Sequence, residues 1–463
     1  MKECDNHTFI DFMESMECLW GQDISIDSYH QAKRCLLDYM GVTIAGSYML
    51  EDKIDKLLRH WQCDGCAAQV IGRKHRTDGV FAGLINGMSA HIAELDDGSN
   101  AGIVHPGSPV ISALLSLLTE KRIGADKLLK AIILGYEATM MLALALQPSH
   151  KLKGYHATGT CGSIGATVAC AFALGLPKME ARKAVSTSIV SASGMLKVLE
   201  GNSELKPYNV GKAAMNALVS LAMAEAGFES PDDPLGGVNG FMNMVGVSSN
   251  QYRWELPDIQ RLKIHDVYTK PYAACRYCHP SIDAAIKIRP KISDYGFHDI
   301  NAITIETYDL AVKNHDHKDI RSVSSAKMSI PFSVGVAIAT GRAGIGEFID
   351  ETINDSLVRE IVSRCDVVPN SVMSREFPRR SMAKITVLLK NKRVISDSIE
   401  MPLGEPENPL NDAQLEEKFY SLTDYAGLER RLAKKVASAV WDLNSRFEDF
   451  LEAIGTINIY DKE

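Results

Sequence analysis

The chain has 463 residues, of which 46% are hydrophobic and 23% are charged, and its formal net charge at pH 7 is −8. The length favours two or three domains over a single core, and the composition is ordinary for a globular protein. Because no basic stripe stands out, no uncharged apolar run reaches membrane-spanning length and no signal-peptide pattern opens the sequence, we expect a cytoplasmic protein that binds neither nucleic acid nor membrane.

Apolar residues in the first half of the chain have the spacing that is typical of α-helices. Gly46 is predicted to end the first of these helices, and Thr77 is predicted to cap the helix that starts near residue 80. A short apolar run at 67–71 favours a strand or an extended link. The predicted helices cover residues 27–46, 51–62, 80–93, 109–120, 125–146, 179–199 and 210–226.

The segment from His91 to Pro109 combines two histidines with three acids, Glu94, Asp96 and Asp97, within fifteen residues. Apolar helical sequence lies on both sides, so we expect the acidic end of the upstream helix to point into the protein interior. Buried carboxylates are costly unless they are paired or used, and three glycines and two prolines indicate a shaped loop. An exposed helix end followed by an ordinary turn is the alternative. We predict the floor of an active site.

A second polar site follows the long apolar helix at 125–146. Glycines at 159, 162 and 165 imitate a dinucleotide-binding fingerprint, but no strand precedes them and no acid stands at the expected distance. We interpret the small residues as a surface on which two helices approach closely. His156, just before this segment, is a candidate acid or base, and the alternative is a hydrogen-bonded loop histidine.

Lys206 opens a very apolar helix. The N-terminus of a helix is already electropositive, so a lysine there suits the carboxylate of a substrate. A surface lysine is the alternative, since this is the commonest fate of the residue type.

The composition changes after Gly227, where a turn-rich linker begins and helical periodicity weakens. Strands are predicted at 263–268, 302–307, 383–389 and 394–399, the last two as a hairpin-like pair, and helices at 281–288, 329–340 and 355–364. A helical pattern returns at 413–421, 426–439 and 447–453.

These elements predict a mostly α fold. A large all-α helical domain covers 1–255, an inserted smaller α/β lid domain (antiparallel sheet plus helices) covers 256–402, and C-terminal helices at 403–463 pack back on the helical domain.

Three potential cations, Lys270, Arg276 and His279, lie within ten residues of the predicted α/β domain. An acidic protein that binds an anionic substrate must concentrate its positive groups locally, so this segment is a candidate binding site. Arg276 could bind a carboxylate with two parallel hydrogen bonds.

Two cysteine pairs have CxxC spacing, Cys63 with Cys66 and Cys275 with Cys278. Together they could form a four-cysteine zinc site. They stand about two hundred residues apart without a ribbon-like context, so we predict no metal.

Five segments together resemble the MmgE/PrpD family, in the family's order and over essentially the whole chain. They are residues 91–109, 154–175, 205–211, 270–283 and 325–333. The resemblance implies a helical domain, an α/β lid domain and a homodimer. Known activities of the family include 2-methylcitrate dehydratase, cis-aconitate decarboxylase and iminodisuccinate epimerase, which act on small polycarboxylates without a metal or organic cofactor.

Position by position, the decarboxylase-like members imply site roles for Glu94, Asp96, His105, His156, Lys206 and Lys270, and by a less direct match for Asp97 and His279. The loop from Asp97 to His105 is one residue longer than in the animal decarboxylase. The segment 96–99 reads Asp-Asp-Gly-Ser, where the dehydratase branch has an Asn-Asp-Thr-Trp type segment, which argues against a propionate-pathway enzyme.

The resemblance implies a cofactor-independent lyase, a dehydratase or a decarboxylase, that moves a proton at a carbon next to a carboxylate of a small di- or tricarboxylate. The expected site lies in a cleft between the two domains. Expected catalytic residues are His105, His156, Asp96 and Lys206; expected substrate-binding residues are Glu94, Asp97, Lys270, Arg276 and His279. An epimerase of a polycarboxylate such as iminodisuccinate and a non-catalytic polycarboxylate-binding homologue are the alternatives.

Overall fold

The computed structural model describes residues 8–61, 66–118, 123–200, 203–247, 252 and 254–459. They divide into two compact units. The larger unit is drawn from Met1–Val267 and Asp412–Glu463, and the smaller unit from Tyr268–Asn411. Cys63 lies outside the described residues, and so do the ends of two predicted helices, at residue 62 and at residues 119–120.

The first part of the larger unit is almost entirely helical. Its helices are α1 (Thr8–Gly21), α2 (Ile26–Met49), α3 (Glu51–His60), α4 (Gly79–Ile92), α5 (Gly107–Leu117), α6 (Ala125–Leu146), α7 (Ser149–Leu152), α8 (Ala157–Leu174), α9 (Lys178–Ser191), α10 (Lys206–Glu225) and α11 (Phe241–Met244). A two-residue antiparallel pair, β1 (Ala68–Gln69) with β2 (Arg76–Thr77), precedes α4.

The smaller unit contains a sheet covered by helices. Its elements are α12 (His279–Ser293), β3 (Ile300–Thr307), α13 (Asp309–Val312), α14 (Val323–Lys327), α15 (Ile330–Thr340), α16 (Asp350–Asn354), α17 (Ser356–Ser363), β4 (Cys365–Pro369), α18 (Ser371–Glu376), β5 (Ala383–Leu389) and β6 (Val394–Ile399). The strand order is β4-β3-β5-β6. Alternate residues of β5 are buried, as expected for a strand that rests on a helical layer, and α12 packs on β5, β6 and α15.

Three further helices complete the larger unit: α19 (Asp412–Tyr425), α20 (Arg430–Trp441) and α21 (Phe447–Thr456). Helix α19 packs against α2. The C-terminal part of the chain therefore supplies side chains to the interior of the unit that the N-terminal part begins.

The mostly α prediction is confirmed, with corrections to the smaller unit. Strands β3 and β4 are parallel, so the sheet is mixed rather than antiparallel, and the sequence analysis missed β4 altogether. The predicted strand at 263–268 is wrong, because Lys263–Asp266 forms a single 3-10 turn. The predicted helix at 179–199 breaks after Ser191 and resumes as the 3-10 turn Leu196–Leu199.

Two smaller predictions about helix ends are also wrong. Gly46 continues α2, because the bare glycine lets the helix approach α4: a Cβ there would lie 1.8 Å from the carbonyl oxygen of Ser89. The N-cap of α4 is Asp78, whose side chain accepts a hydrogen bond from the Val80 N–H, and not Thr77.

The glycines of α8 serve close helix packing, as the sequence predicted. A Cβ on Gly162 would lie 2.7 Å from Pro109 of α5, and one on Gly165 would lie 2.6 Å from the backbone of Gly135 in α6. Helices α6 and α8 are long and apolar enough to cross a membrane by composition, but 83% and 89% of their apolar windows are buried within the protein. They form the centre of the larger unit.

Candidate active site

The loop between α4 and α5 is folded into the interior of the larger unit. Helix α4 ends at Ile92, and Glu94 and Ile103 both adopt a positive φ, 58° and 48°. Such values are uncommon for residues other than glycine and mark a turn that its surroundings hold in place. The acids of this turn are buried, so the alternative of an exposed helix end is wrong.

His91 and Asp96 form a buried acid–histidine pair. His91 Nδ1 lies 2.7 Å from Asp96 Oδ2, which also accepts a hydrogen bond from Ser108 Oγ at 2.8 Å. An ionised carboxylate only accepts, so His91 Nδ1 carries the proton. Its Nε2 is buried, lies 3.9 Å from Glu94 Oε1 and has no hydrogen-bond partner among the described residues.

A backbone carbonyl holds the ring of His105 in one tautomer. Its Nδ1 lies 2.6 Å from the carbonyl oxygen of Asp97, and the backbone N–H of His105 donates to Thr158 Oγ1 at 3.1 Å. A carbonyl oxygen only accepts, so Nδ1 carries the proton of the neutral ring and Nε2 is the nitrogen that can take up another. Asp96 Oδ2 lies 3.6 Å from Nδ1, close enough to stabilise the imidazolium that would result.

The side chain of Asp97 points into the protein. Its Oδ1 accepts a hydrogen bond from the Gly107 N–H at 3.1 Å, and its Oδ2 accepts one from the Tyr136 hydroxyl. Burial, with smaller contributions from Asp38 and Asp96, raises the pKa of Asp97 to about 7, although the bonds from Tyr136 and Gly107 act to lower it. Asp97 thus ties the carbonyl that orients His105 to the N-terminus of α5.

His156 stands immediately before α8 and is buried. Asn209 Nδ2 donates to the Met195 carbonyl oxygen at 3.3 Å and faces His156 Nδ1 at 3.5 Å. The Met195 carbonyl requires the amide nitrogen on this side, so His156 Nδ1 acts as an acceptor and the neutral ring carries its proton on Nε2. Burial, then the nearby positive groups of His91 and Lys206, lower the pKa of His156 well below its usual range.

Lys206 joins this cluster through an ion pair with Glu94 Oε1. The pairing depends on close packing of α4 against α10, since a Cβ on Gly87 would lie 2.7 Å from the Cα of Gly211. The Lys206 side chain is 18% exposed and that of Glu94 is 8% exposed. The ring centroids of the histidines are also close: that of His91 lies 4.9 Å from His105 and 6.2 Å from His156.

The polar segment of the smaller unit is arranged differently. Arg276 Nη2 lies 2.7 Å from Glu405 Oε1, Arg276 Nη1 lies 2.9 Å from His279 Nδ1, and the guanidinium stacks on Tyr268 at 4.6 Å. The structure therefore brings two of the three predicted cations of this segment together, on a protein carboxylate. Lys270 is buried, with 1% of its surface exposed.

The carboxylate–histidine cluster contains side chains of the types that bind metal ions. His91, Asp96 and His105 offer ligand atoms within 4.8 Å of one another. Two ligands on one zinc ion, each at 2.0–2.1 Å in tetrahedral geometry, stand about 3.3 Å apart. The 2.7 Å between His91 Nδ1 and Asp96 Oδ2 is a hydrogen-bond distance, so these side chains as placed do not fit a shared metal ion.

The cysteine alternative finds no support either. Cys66 is disulfide-bonded and so offers no thiolate to a metal, and Cys63 lies outside the described residues. Cys275 and Cys278 are not in a disulfide.

Sequence reasoning assigned no role to four residues that shape the site: His91 and Ser108, which lie inside the predicted segment 91–109, and Tyr136 and Asn209, which lie outside it. For His91 the sequence contains a signal. This histidine lies near the end of a buried helix, five residues before Asp96, so the loop that follows the helix can bring the acid back to it. Tyr136 and Asn209 reach Asp97 and His156 from 39 and 53 residues away, so no local pattern marks them.

Comparison with known proteins matches both parts of the chain to one family. The MmgE/PrpD N-terminal domain matches residues 15–254, and the MmgE/PrpD C-terminal domain matches residues 272–443. The cis-aconitate decarboxylase-like protein oryM of Aspergillus oryzae is 23% identical over 91% of this chain and 92% of its own length. Human cis-aconitate decarboxylase is 24% identical over 84% of this chain and 82% of its own length.

Proposed function

The chain belongs to the MmgE/PrpD family, and from that premise we propose that it is a lyase, either a dehydratase or a decarboxylase, acting on a small di- or tricarboxylate. The similarity to two proteins named for cis-aconitate decarboxylation supports the class of reaction. At this level of identity it leaves the substrate to be decided by experiment.

Both reactions require a positioned proton donor beside a polyanion, and dehydration also requires a proton acceptor. In dehydration, a base removes the proton from a carbon next to a carboxylate, and an acid protonates the leaving hydroxyl. In decarboxylation, the bond to the departing carboxylate breaks, its electron pair is delocalised into the remaining conjugated carboxyl group, and an acid then protonates carbon. Positioned acids and bases contribute ~10²–10⁴-fold each to such steps.

The observation that carries the proposal is the different partner of Nδ1 in the two rings, a carbonyl oxygen at His105 and an amide nitrogen at His156, which implies opposite tautomers. His105 has its Nδ1 proton on the Asp97 carbonyl, so its Nε2 can accept a proton. His156 faces an amide N–H with Nδ1, so its Nε2–H can donate a hydrogen bond. We propose that His105 takes the substrate proton in dehydration and, as the imidazolium that results, protonates the leaving hydroxyl; in decarboxylation, His105 protonated from solvent delivers the proton to carbon. His156, kept neutral by burial, donates a hydrogen bond to the substrate oxygen on which negative charge develops.

We propose further that His91 and Asp96 stabilise the imidazolium at His105. The rings of His91 and His105 meet edge to face with centroids 4.9 Å apart, and Asp96 lies beside both. Because the Asp96 carboxylate already accepts a hydrogen bond from His91, we do not expect it to take the proton from His105. Its negative charge favours the protonated form of His105.

The proposed ligands of the substrate carboxylates are Lys206 and Lys270. Lys206 is a partly exposed ammonium that a substrate carboxylate could share with Glu94. Lys270 belongs to the same chain segment as Arg276 and His279, whose bonds to Glu405 and to each other favour a role in supporting the segment. Direct binding by Asp97, Arg276 or His279, and a substrate position between the two units, stay predictions.

The remaining expectations also stand as proposals: a homodimer, a cytoplasmic location, and a reaction without metal or organic cofactor. An EDTA-treated preparation tests the last directly. Full activity after chelation agrees with the proposal, and loss that Zn²⁺ or Fe²⁺ restores would overturn it.

Proton NMR of the pure, EDTA-treated protein in D2O tests the function. The panel contains cis-aconitate, citrate, 2-methylcitrate and iminodisuccinate. We expect one acid to lose water or CO2 and to gain deuterium at a carbon next to a carboxylate. His60→Ala, an exposed position, is the control, and His105→Ala should abolish the signal.

Other outcomes separate the alternatives. Deuterium exchange with inversion of configuration, but without loss of water or CO2, would identify an epimerase. Thermal stabilisation by one acid without exchange would identify a binding protein. Neither effect with any of the four acids would contradict the polycarboxylate assignment.

A further inference from the structure

The turn that follows α4 stores backbone strain at Glu94. Its φ of 58° places a non-glycine residue in the left-handed region, a backbone conformation that residues other than glycine rarely adopt. This conformation lets the Glu94 carboxylate meet Lys206 while the next residues turn back toward His91. Something must hold the turn, because a strained backbone persists only where its surroundings determine it.

Lys418 supplies such a contact from the opposite end of the chain. It lies on α19, and its Nζ donates to the carbonyl oxygen of Leu95 at 2.8 Å, the residue after the strained one. The same ammonium binds the carboxylate of Asp38 on α2. One side chain thus joins the turn to two helices.

The ion pair of Lys418 and Asp38 is buried, so its formation carries a desolvation cost. The side chains of Lys418 and Asp38 are only 8% and 5% exposed. Removing an ammonium from water costs several kcal/mol, and a buried ion pair often stabilises no more than apolar residues would. Burial raises the pKa of Asp38, and the nearby Asp96 raises it as well, while Lys418 acts to lower it.

The ion pair also borders the site through a small cavity. Asp38, Asp96, Asp97 and Tyr136 all line this cavity, which lies behind the turn. Asp96 is the carboxylate that holds His91, and Asp97 is the residue whose carbonyl holds His105. A shift of the Leu95 peptide would move both.

We propose that Lys418 is a positioning residue for the reaction: by binding the Leu95 carbonyl it holds the strained turn and thereby fixes Asp96 and Asp97 against the two histidines. This inference rests on the proposed function. Lys418 does not touch the candidate proton-transfer groups, so its loss should lower kcat and leave KM nearly unchanged. Misplacement of reacting groups by about 1 Å can cost ~10²-fold, so we expect kcat to fall by about 10–100-fold in Lys418→Met.

A double variant separates positioning from plain stability. Lys418→Met strands the Asp38 carboxylate and should lower Tm; adding Asp38→Asn removes the stranded charge and should restore most of that Tm. The Leu95 carbonyl still lacks its donor, so kcat should stay low in the double variant. Recovery of kcat together with Tm would overturn the proposal, and so would wild-type kcat in Lys418→Met. Lys434→Met, at an exposed position on α20, is the matched control.

A second readout does not depend on turnover. In protein labelled with ¹⁵N-histidine, the Nδ1–H tautomer of His105 should give one set of ring-nitrogen signals in the wild type and an averaged set in Lys418→Met. Unchanged His105 signals would overturn the proposal. If the wild type shows no lyase activity, the proposed function fails, and this spectrum still decides whether Lys418 holds the turn.

Discussion

Two buried polar regions of this chain use the same residue types but direct their hydrogen bonds differently. In the larger unit, uncharged amide groups hold the two histidines of the proposed mechanism: a carbonyl orients His105 and an asparagine amide orients His156. In the smaller unit, Arg276, Glu405 and His279 bind one another through their side chains.

The difference predicts different roles. A neutral group that binds one ring nitrogen orients the imidazole without fixing the charge of the ring. The other nitrogen can then take part in proton transfer or hydrogen bonding with the substrate. Charges that neutralise each other form a framework, whose removal leaves a buried, uncompensated partner. Variants in the first region should therefore reduce turnover, and variants in the second should reduce stability.

The largest effect is expected at His105. His105→Ala should lower kcat by ~10²–10⁴-fold, because it removes the proposed base, while the Tm changes by only a few degrees. Steady-state kinetics and thermal unfolding measure the two quantities, and His60→Ala should change neither. A His105→Ala enzyme that keeps most of its turnover would remove His105 from the mechanism.

Arg276→Met should act on stability. It leaves the buried Glu405 carboxylate without its cation, so we expect the free energy of unfolding to fall by about 3–5 kcal/mol. Adding Glu405→Gln should recover much of this loss. A large rise in KM with unchanged stability would contradict the framework role and favour direct binding of the substrate by Arg276.

Tyr136→Phe sharpens the comparison within the larger unit. It removes the hydroxyl that binds Asp97, and leaving a buried acceptor unsatisfied costs about 1–3 kcal/mol. Tyr39→Phe is a matched control, because Tyr39 is equally buried and its hydroxyl binds Ser112 instead. Both variants should lose stability, but only Tyr136→Phe should also lower kcat. Equal kcat values in the two variants would show that the contact of Asp97 with Tyr136 does not affect the reaction.

The last prediction concerns the pH dependence of stability and not an effect at a single pH. The pKa of Asp97 rises from 3.8 to about 7 on folding, so the folded state favours the protonated carboxyl. The stability that this group contributes is complete below its unfolded pKa and falls by ~1.4 kcal/mol for each pH unit until the pH passes about 7. Asp97→Asn cannot ionise, so between about pH 5 and pH 7 its Tm should fall less than that of the wild type. Parallel Tm curves would contradict the raised pKa.

The sequence indicated the candidate site because the burial of its acids is predictable locally. An uncharged helix that ends in three acids carries them into the interior, so the segment 91–109 is recognisable without knowledge of any contact. The presence of most helices follows from apolar periodicity, and α6 matches its predicted span.

What the sequence could not provide depends on contacts between distant residues. The local sequence predicts a helix end at Gly46, because it does not show that Ser89 of another helix packs against this glycine. Strand β4 has only one buried residue, Cys365, so its pattern is too weak to predict. Lys418 stands in a charged helix that resembles any surface helix, and only its contact with Leu95, 323 residues away, connects it with the site.

In the proposed mechanism His105 and His156 carry their protons on opposite nitrogens, so that Nε2 of His105 can accept a proton and Nε2–H of His156 can donate a hydrogen bond. The measurement we would make first is ¹⁵N NMR of histidine-labelled protein near pH 7, assigned with His105→Gln and His156→Gln. We expect a neutral Nδ1–H ring at His105 and a neutral Nε2–H ring at His156. The same tautomer at both positions, or a protonated His156, would contradict it.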